Sequence, residues 1–147
     1  MIKKVSTTLT SDAYGDGDVL GGVLSLEKTV TAGRITPILR QVMIQEASTA
    51  MPALDIFLLD SNVSSDTTIT DNTIVDLDDA DLVKIIGVVS TTASIMLNDN
   101  SVAVIPNLNI PINVADPHTG TLFILPVARA ASVADPGAIS FTFSFEA

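Results

Sequence analysis

The sequence predicts an all-β fold: an antiparallel β-sandwich of jelly-roll-like kind, with one short helix near residues 78–84. Three observations carry this reading. Valine, isoleucine and threonine recur in short runs separated by Gly, Pro, Asn and Asp, which is how strands joined by turns are written. The C-terminal stretch alternates cleanly, with Ile139, Phe141, Phe143 and Phe145 on one side and Ser140, Thr142 and Ser144 on the other. No internal repeat, heptad pattern or convincing linker interrupts the chain.

Taken in order, residues 1–12 form a polar, threonine-rich stretch charged only at Lys3, Lys4 and Asp12, expected to be an extended arm that orders on assembly. Residues 13–147 are expected to make one sandwich domain. Its strands are placed at 19–29, 34–45, 53–60, 85–90, 101–104, 108–114, 122–130 and 138–146. In the second of these, Leu39, Val42, Met43 and Ile44 crowd both faces, so it reads as a central strand covered on both sides. Between Asp76 and Lys84 the chain reads DLDDADLVK: Asp78 is placed to cap a short helix with Asp79 and Asp81 in its first turn and Lys84 at its end. Leu77, Leu82 and Val83 are expected to tack that helix across one end of the sandwich.

Composition narrows the function. The chain has 147 residues, close to the usual size of one domain, of which 47% are hydrophobic and only 16% charged, with a mean hydropathy of +0.49. Surplus apolar surface of this kind is expected to meet other copies or another protein. A formal charge of -10 with a pI near 4.1, and seven scattered Lys and Arg, argue against nucleic-acid binding. With no cysteine, disulfides and thiolate metal sites are out of reach. VSTTLTSDAYGDGD follows the first four residues where a signal peptide needs an apolar core, and the apolar stretches around 85–89 and 122–131 are too short to span a bilayer. The expectation is a soluble, cytoplasmically assembled protein that engages no membrane.

The most informative segment runs from 54 to 90: an apolar strand, a Ser/Thr/Asn/Asp loop, then DLDDADLVKIIGVVS. Phe57, Asp60 and Asn62, then Thr70-Asp71-Asn72, then Asp79-Ala80-Asp81-Leu82, Lys84, Ile85 and Gly87 follow a strand, F-D-x-N, T-D-N, D-A-D-L-x-K-I-x-G order. Weaker matches are Tyr14 to Gly22, an aromatic before a G-D-x-x-G-G-like turn with its Asp and Gly slightly offset, and IPNLNIPINVAD before Gly120 to Leu122. This order resembles a family of tailed-phage virion structural proteins of the capsid decoration, or cement, type. The resemblance covers about two thirds of the chain. It lapses near the C-terminal end, where Arg129-Ala-Ala-Ser-Val replaces the family's Gly-Thr-Pro turn.

The resemblance implies a non-catalytic protein on the outer surface of the virion capsid. It would bind the major capsid protein, staple neighbouring capsomers and act as a homo-oligomer, with a trimer favoured. A tail or head-fibre component is the alternative within structural proteins, and a host-surface glycan-binding module the alternative outside them. Asp60, Asn62, Asp71 and Asn72 read as Asx-turn residues that bind their own loop backbone, with Asp78 and Asp81 at the helix start. On that reading Asp71→Ala lowers stability by about 1 kcal/mol.

Chemistry has little to stand on. The acidic run Asp76, Asp78, Asp79 and Asp81 fails as an EF-hand, because the sixth and twelfth places hold Asp81 and Gly87. Asp12, Asp16 and Asp18 sit in a glycine-rich turn, where an irregular weak calcium site is left open. Asp116 beside His118 has the residue types of a triad, but no G-x-S-x-G exists and DPHTG reads as a Pro-initiated exposed turn. Neither nucleotide-binding glycine motif occurs. Tyr14 is the sole Tyr in a chain without Trp, and it reads as a turn aromatic covering the sandwich edge rather than a sugar platform. No metal, cofactor or catalytic residue is assigned.

Overall fold

The structure is a computed structural model that describes residues 1–10, 13–47, 53–91, 94–130 and 137–147, together with the backbone of 132–133. Its strands are β1 (Ile2–Leu9), β2 (Ala13–Tyr14), β3 (Leu24–Leu26), β4 (Ile38–Glu46), β5 (Leu54–Leu59), β6 (Ile85–Ser90), β7 (Ile95–Leu97), β8 (Asn100–Ile105), β9 (Ile110–Pro111), β10 (Leu122–Ala128), β11 (Ser132–Val133) and β12 (Gly137–Glu146). One short helix, α1 (Asp79–Leu82), precedes β6. The fold is the expected all-β sandwich. One sheet runs β1-β12-β4-β8-β7 with β9 also paired to β4, the other runs β3-β10-β5-β6, and every pairing is antiparallel. β2 and β11 form a separate ribbon.

β12 supplies the aromatic floor of the core, as its alternation indicates. Ile139, Phe141 and Phe143 are fully buried, and the rings of Phe143 and Phe145 lie 6.4 Å apart. Beside it, β4 is central but covered on one face only: Leu39, Val42 and Ile44 are buried, whereas Gln45 is exposed and Met43 half-buried. The crowding seen in the sequence comes from a β-bulge. Gln41 faces Ser144 and Leu39 faces Phe145, so Arg40 is an extra residue that shifts the inward parity.

The expected N-terminal arm is, over Ile2–Leu9, an edge strand of the first sheet. It pairs with β12 along its whole length, and the Met1 amine donates to Phe145 O at 2.8 Å. Val5 and Leu9 turn toward the core. Thr7 packs against Gly21 so closely that a Cβ there would lie 2.3 Å from Thr7 Oγ1. The cue for this strand is non-local, because its partner lies at the other end of the chain.

Other boundaries contract. Strand 19–29 reduces to β3 and 108–114 to β9, while 85–90 matches β6. β7 answers to no expected strand.

β10 is apolar on both faces for a reason. Leu122, Ile124 and Ala128 join the main core between the sheets, while Leu125 and Val127 point outward and are still buried. Pro126 is tolerated in this strand because its carbonyl accepts from Leu20 N–H at 2.9 Å, so its nitrogen faces away from β5. Some other part of the chain must therefore cover the outer face of the second sheet.

Candidate functional site

That cover is the polar loop of residues 60–78 together with the glycine-rich segment 15–23. Val19, Val23, Val63, Ile69, Val75 and Leu77 from these segments lie on Phe57 and Leu59 of β5, Ile85 of β6, and Phe123, Leu125 and Val127 of β10. The result is a second, smaller core and a third layer. The two segments knit together through backbone bonds from Val19 N–H to Thr73 O, Asn72 N–H to Val19 O, and Val75 N–H to Gly17 O, each 2.9 Å.

Two carboxylates pin this layer, and both belong to the motifs singled out in the sequence. Asp71 lies in T-D-N. It was expected to bind its own loop, but it reaches across the chain: Oδ1 accepts from the Tyr14 hydroxyl at 3.0 Å and from Gly21 N–H at 2.8 Å. Tyr14 is completely buried in the main core, so its ring offers no face to a sugar. Burial pushes its phenol pKa up, Thr10 opposes this by hydrogen bonding, and the Asp71 carboxylate adds to the rise. Asn72 takes a left-handed φ of 56°. With its amide oriented to donate, it reaches Ala13 O at 3.0 Å.

The second pin is Asp81. Its carboxylate is fully buried, and it accepts from Lys84 Nζ at 2.7 Å, Thr67 Oγ1 at 2.5 Å, and Ser64 N–H at 2.8 Å. Lys84 and Thr67 hold its acid well below the usual carboxylate range, against the opposing effect of burial, and Ser64 helps. Lys84 also donates to Asn62 O at 2.8 Å. Asn62 Oδ1 accepts from Val63 N–H at 2.9 Å, a bond to its own loop backbone, whereas Asp60 accepts from the Ser61 hydroxyl at 2.7 Å, a neighbouring side chain rather than the backbone expected.

Two details of the helix reading are corrected. Asp78 occupies the N-cap position with extended backbone, yet makes no side-chain cap bond; its carboxylate lies 3.1 Å from Thr67 Oγ1 instead. Leu77 joins the second core, but Leu82 and Val83 do not tack the helix down: they are 50% and 80% exposed. Ile74 is also bare, at 74%.

The outer surface of the layer is therefore mixed. A shallow pocket lined by Phe57, Val75, Leu77, Leu82 and Ile85 has Asp76 at its rim, and Asp78 and Asp79 are exposed at the start of α1. Residues 60–84 contain seven aspartates against one lysine, so six of the chain's ten net negative charges reside here. That lysine, Lys84, is already engaged by Asp81.

The remaining candidates do not assemble a reactive centre. Asp116 accepts the backbone N–H of His118 at 2.9 Å, which makes an Asx turn and leaves the imidazole unoriented by that carboxylate. This bond, with help from Thr119, lowers the Asp116 pKa. Gly120 closes the turn at a φ of 62°. Asp18 Oδ2 accepts from Gly15 N–H at 2.6 Å within the glycine-rich turn, Asp16 is exposed, and Asp12 lies outside the described residues. No three His, Asp or Glu side chains converge to hold a metal among the described residues.

The chain matches no family model, no curated protein and no solved structure. What fold and site define together is a class: an all-β sandwich carrying a pinned, acidic, partly apolar outer layer. Sequence reasoning found the aspartates of that layer but not the Tyr14–Asp71 link. Both of its ends lie in motif segments, and nothing local shows that they meet.

Proposed function

We propose that this protein is a non-catalytic decoration protein of a tailed-phage capsid, acting on the outer surface of the major capsid shell as a homo-oligomer and stabilising capsomer junctions. The observation that carries the reading is the third layer. The residues on which the family resemblance rests, Asp71 and Asp81 above all, serve as pins that hold the loop down on the outer face of the second sheet, and a loop so held presents its surface with little ordering cost on binding. That surface combines exposed Leu82 and Val83 with Asp76, Asp78 and Asp79. It suits an apolar contact flanked by basic groups on the capsid subunit, repeated over the shell so that modest local affinities add by multivalency.

The test is quantitative mass spectrometry of purified virions, followed by binding of Leu82→Asp/Val83→Asp protein to undecorated heads. Copies comparable to the major capsid subunit, and loss of head binding by the folded double variant, are expected. A handful of copies would move the protein to the tail or fibres, and absence from virions would refute the reading.

A further inference from the structure

We infer that β7 is a self-pairing edge: two copies of this chain join β7 to β7, antiparallel, about a two-fold axis through Met96. The inference stands apart from the capsid reading. Ile95, Met96 and Leu97 are 63%, 68% and 53% exposed, so the outermost strand of the first sheet is bare on both faces, and among the described residues no strand pairs with its outer edge.

The ladder shows what that edge offers. Leu97 pairs with Asn100 across the two-residue turn Asn98-Asp99, with Asn98 in the left-handed region at a φ of 53°. The pair that closes such a turn is hydrogen-bonded, and antiparallel pairs alternate, so Ile95 and Leu97 bond β8 while the N–H and C=O of Met96 point away from it. A second Met96, approached antiparallel, presents the same donor and acceptor, and the two residues exchange both bonds. Ile95 of one copy then lies opposite Leu97 of the other. On the outward face, Ile95 continues into Val102 and Val104 of β8, so the joined sheets share an apolar strip.

Charge selects this edge and this occupant. The opposite edge of the same sheet, β1, carries Lys3 and Lys4, the usual device against edge-to-edge pairing; β7 carries no charge at all. In a chain of net charge -10, self-docking through the third layer would bring Asp76, Asp78 and Asp79 of two copies together. Pairing about Met96 instead sends the two Asp99 side chains to opposite ends of the joined strands. A two-fold contact cannot close a three-fold ring, so if copies form trimers this edge links one trimer to the next.

The test is molar mass by light scattering of the full chain, wild type against Met96→Lys and Met96→Pro, with far-UV circular dichroism to confirm folding. Met96→Lys adds a charge where the side chain is already mostly exposed, and Met96→Pro removes the outward N–H without taking a donor from the β7–β8 ladder. The expected result is an even-numbered wild-type assembly whose mass halves in both variants and is unchanged in Leu82→Asp. A wild-type monomer at the highest soluble concentration, an odd-numbered assembly, or a mass that folded Met96→Lys leaves intact would each overturn the inference.

Discussion

Removing the Tyr14 hydroxyl probes the link that closes the third layer onto the sandwich. In Tyr14→Phe the ring stays in the core, Asp71 keeps Gly21 N–H, and the lost bond is one from a buried phenol to a carboxylate. Hydrogen bonds to charged groups contribute about 1.5–3 kcal/mol, so a loss of about 2 kcal/mol is expected. Thr10 N–H, which donates to the same hydroxyl at 3.1 Å, belongs to an exposed residue and can turn to water. Asp71→Ala does more harm, because it takes the charged acceptor from both the Tyr14 hydroxyl, which keeps only Thr10, and Gly21 N–H; about 3 kcal/mol is expected, well above the 1 kcal/mol of a local Asx turn. Both single changes remove the same Tyr14–Asp71 bond, so the double variant's cost stays near 3 kcal/mol and the two changes couple by about 2 kcal/mol. Urea unfolding of the four proteins measures the cycle, and melting should show Tyr14→Phe lower by roughly 4–8 °C for a chain of this size. A coupling near zero, or an Asp71→Ala no worse than Ala at exposed Asp66, would refute the cross-chain pin.

Further expectations follow from the same geometry. The Asp81 acid is depressed in the folded state, so its stabilisation is full above the unfolded carboxylate pKa of about 4 and fades as pH falls toward the folded value; Asp81→Asn should flatten the acid side of the urea midpoint against pH, and parallel profiles would contradict this. Gly120→Ala would place a Cβ 1.9 Å from Val30 O at a φ of 62° and should prevent normal folding, whereas Gly33→Ala, with open space around it and a φ of 74°, should cost only about 1–2 kcal/mol of backbone strain. Soluble yield and melting temperature separate the two. Phe143→Ala should cost about 3–5 kcal/mol by opening a cavity in the aromatic floor, measured by urea unfolding.

Much of the fold was legible because strand alternation is local. The β12 phenylalanines, β5 and β6 can be read from a few neighbouring residues, and so can the backbone bond of Asn62, whose partner is one residue away. The sequence by itself determined an all-β sandwich, its acidic charge and the aspartates of its loop. Tertiary structure alone decided the rest, for reasons of distance and geometry. β1 is a strand because β12 stands beside it, and Arg40 is a bulge only against the register of Ser144 and Phe145. Asp71 is a pin because the fold brings Tyr14, 57 residues away in sequence, within 3.0 Å. Leu82 and β7 are bare because no other described segment covers them, and exposure is a property of the whole packing that no run of residues encodes.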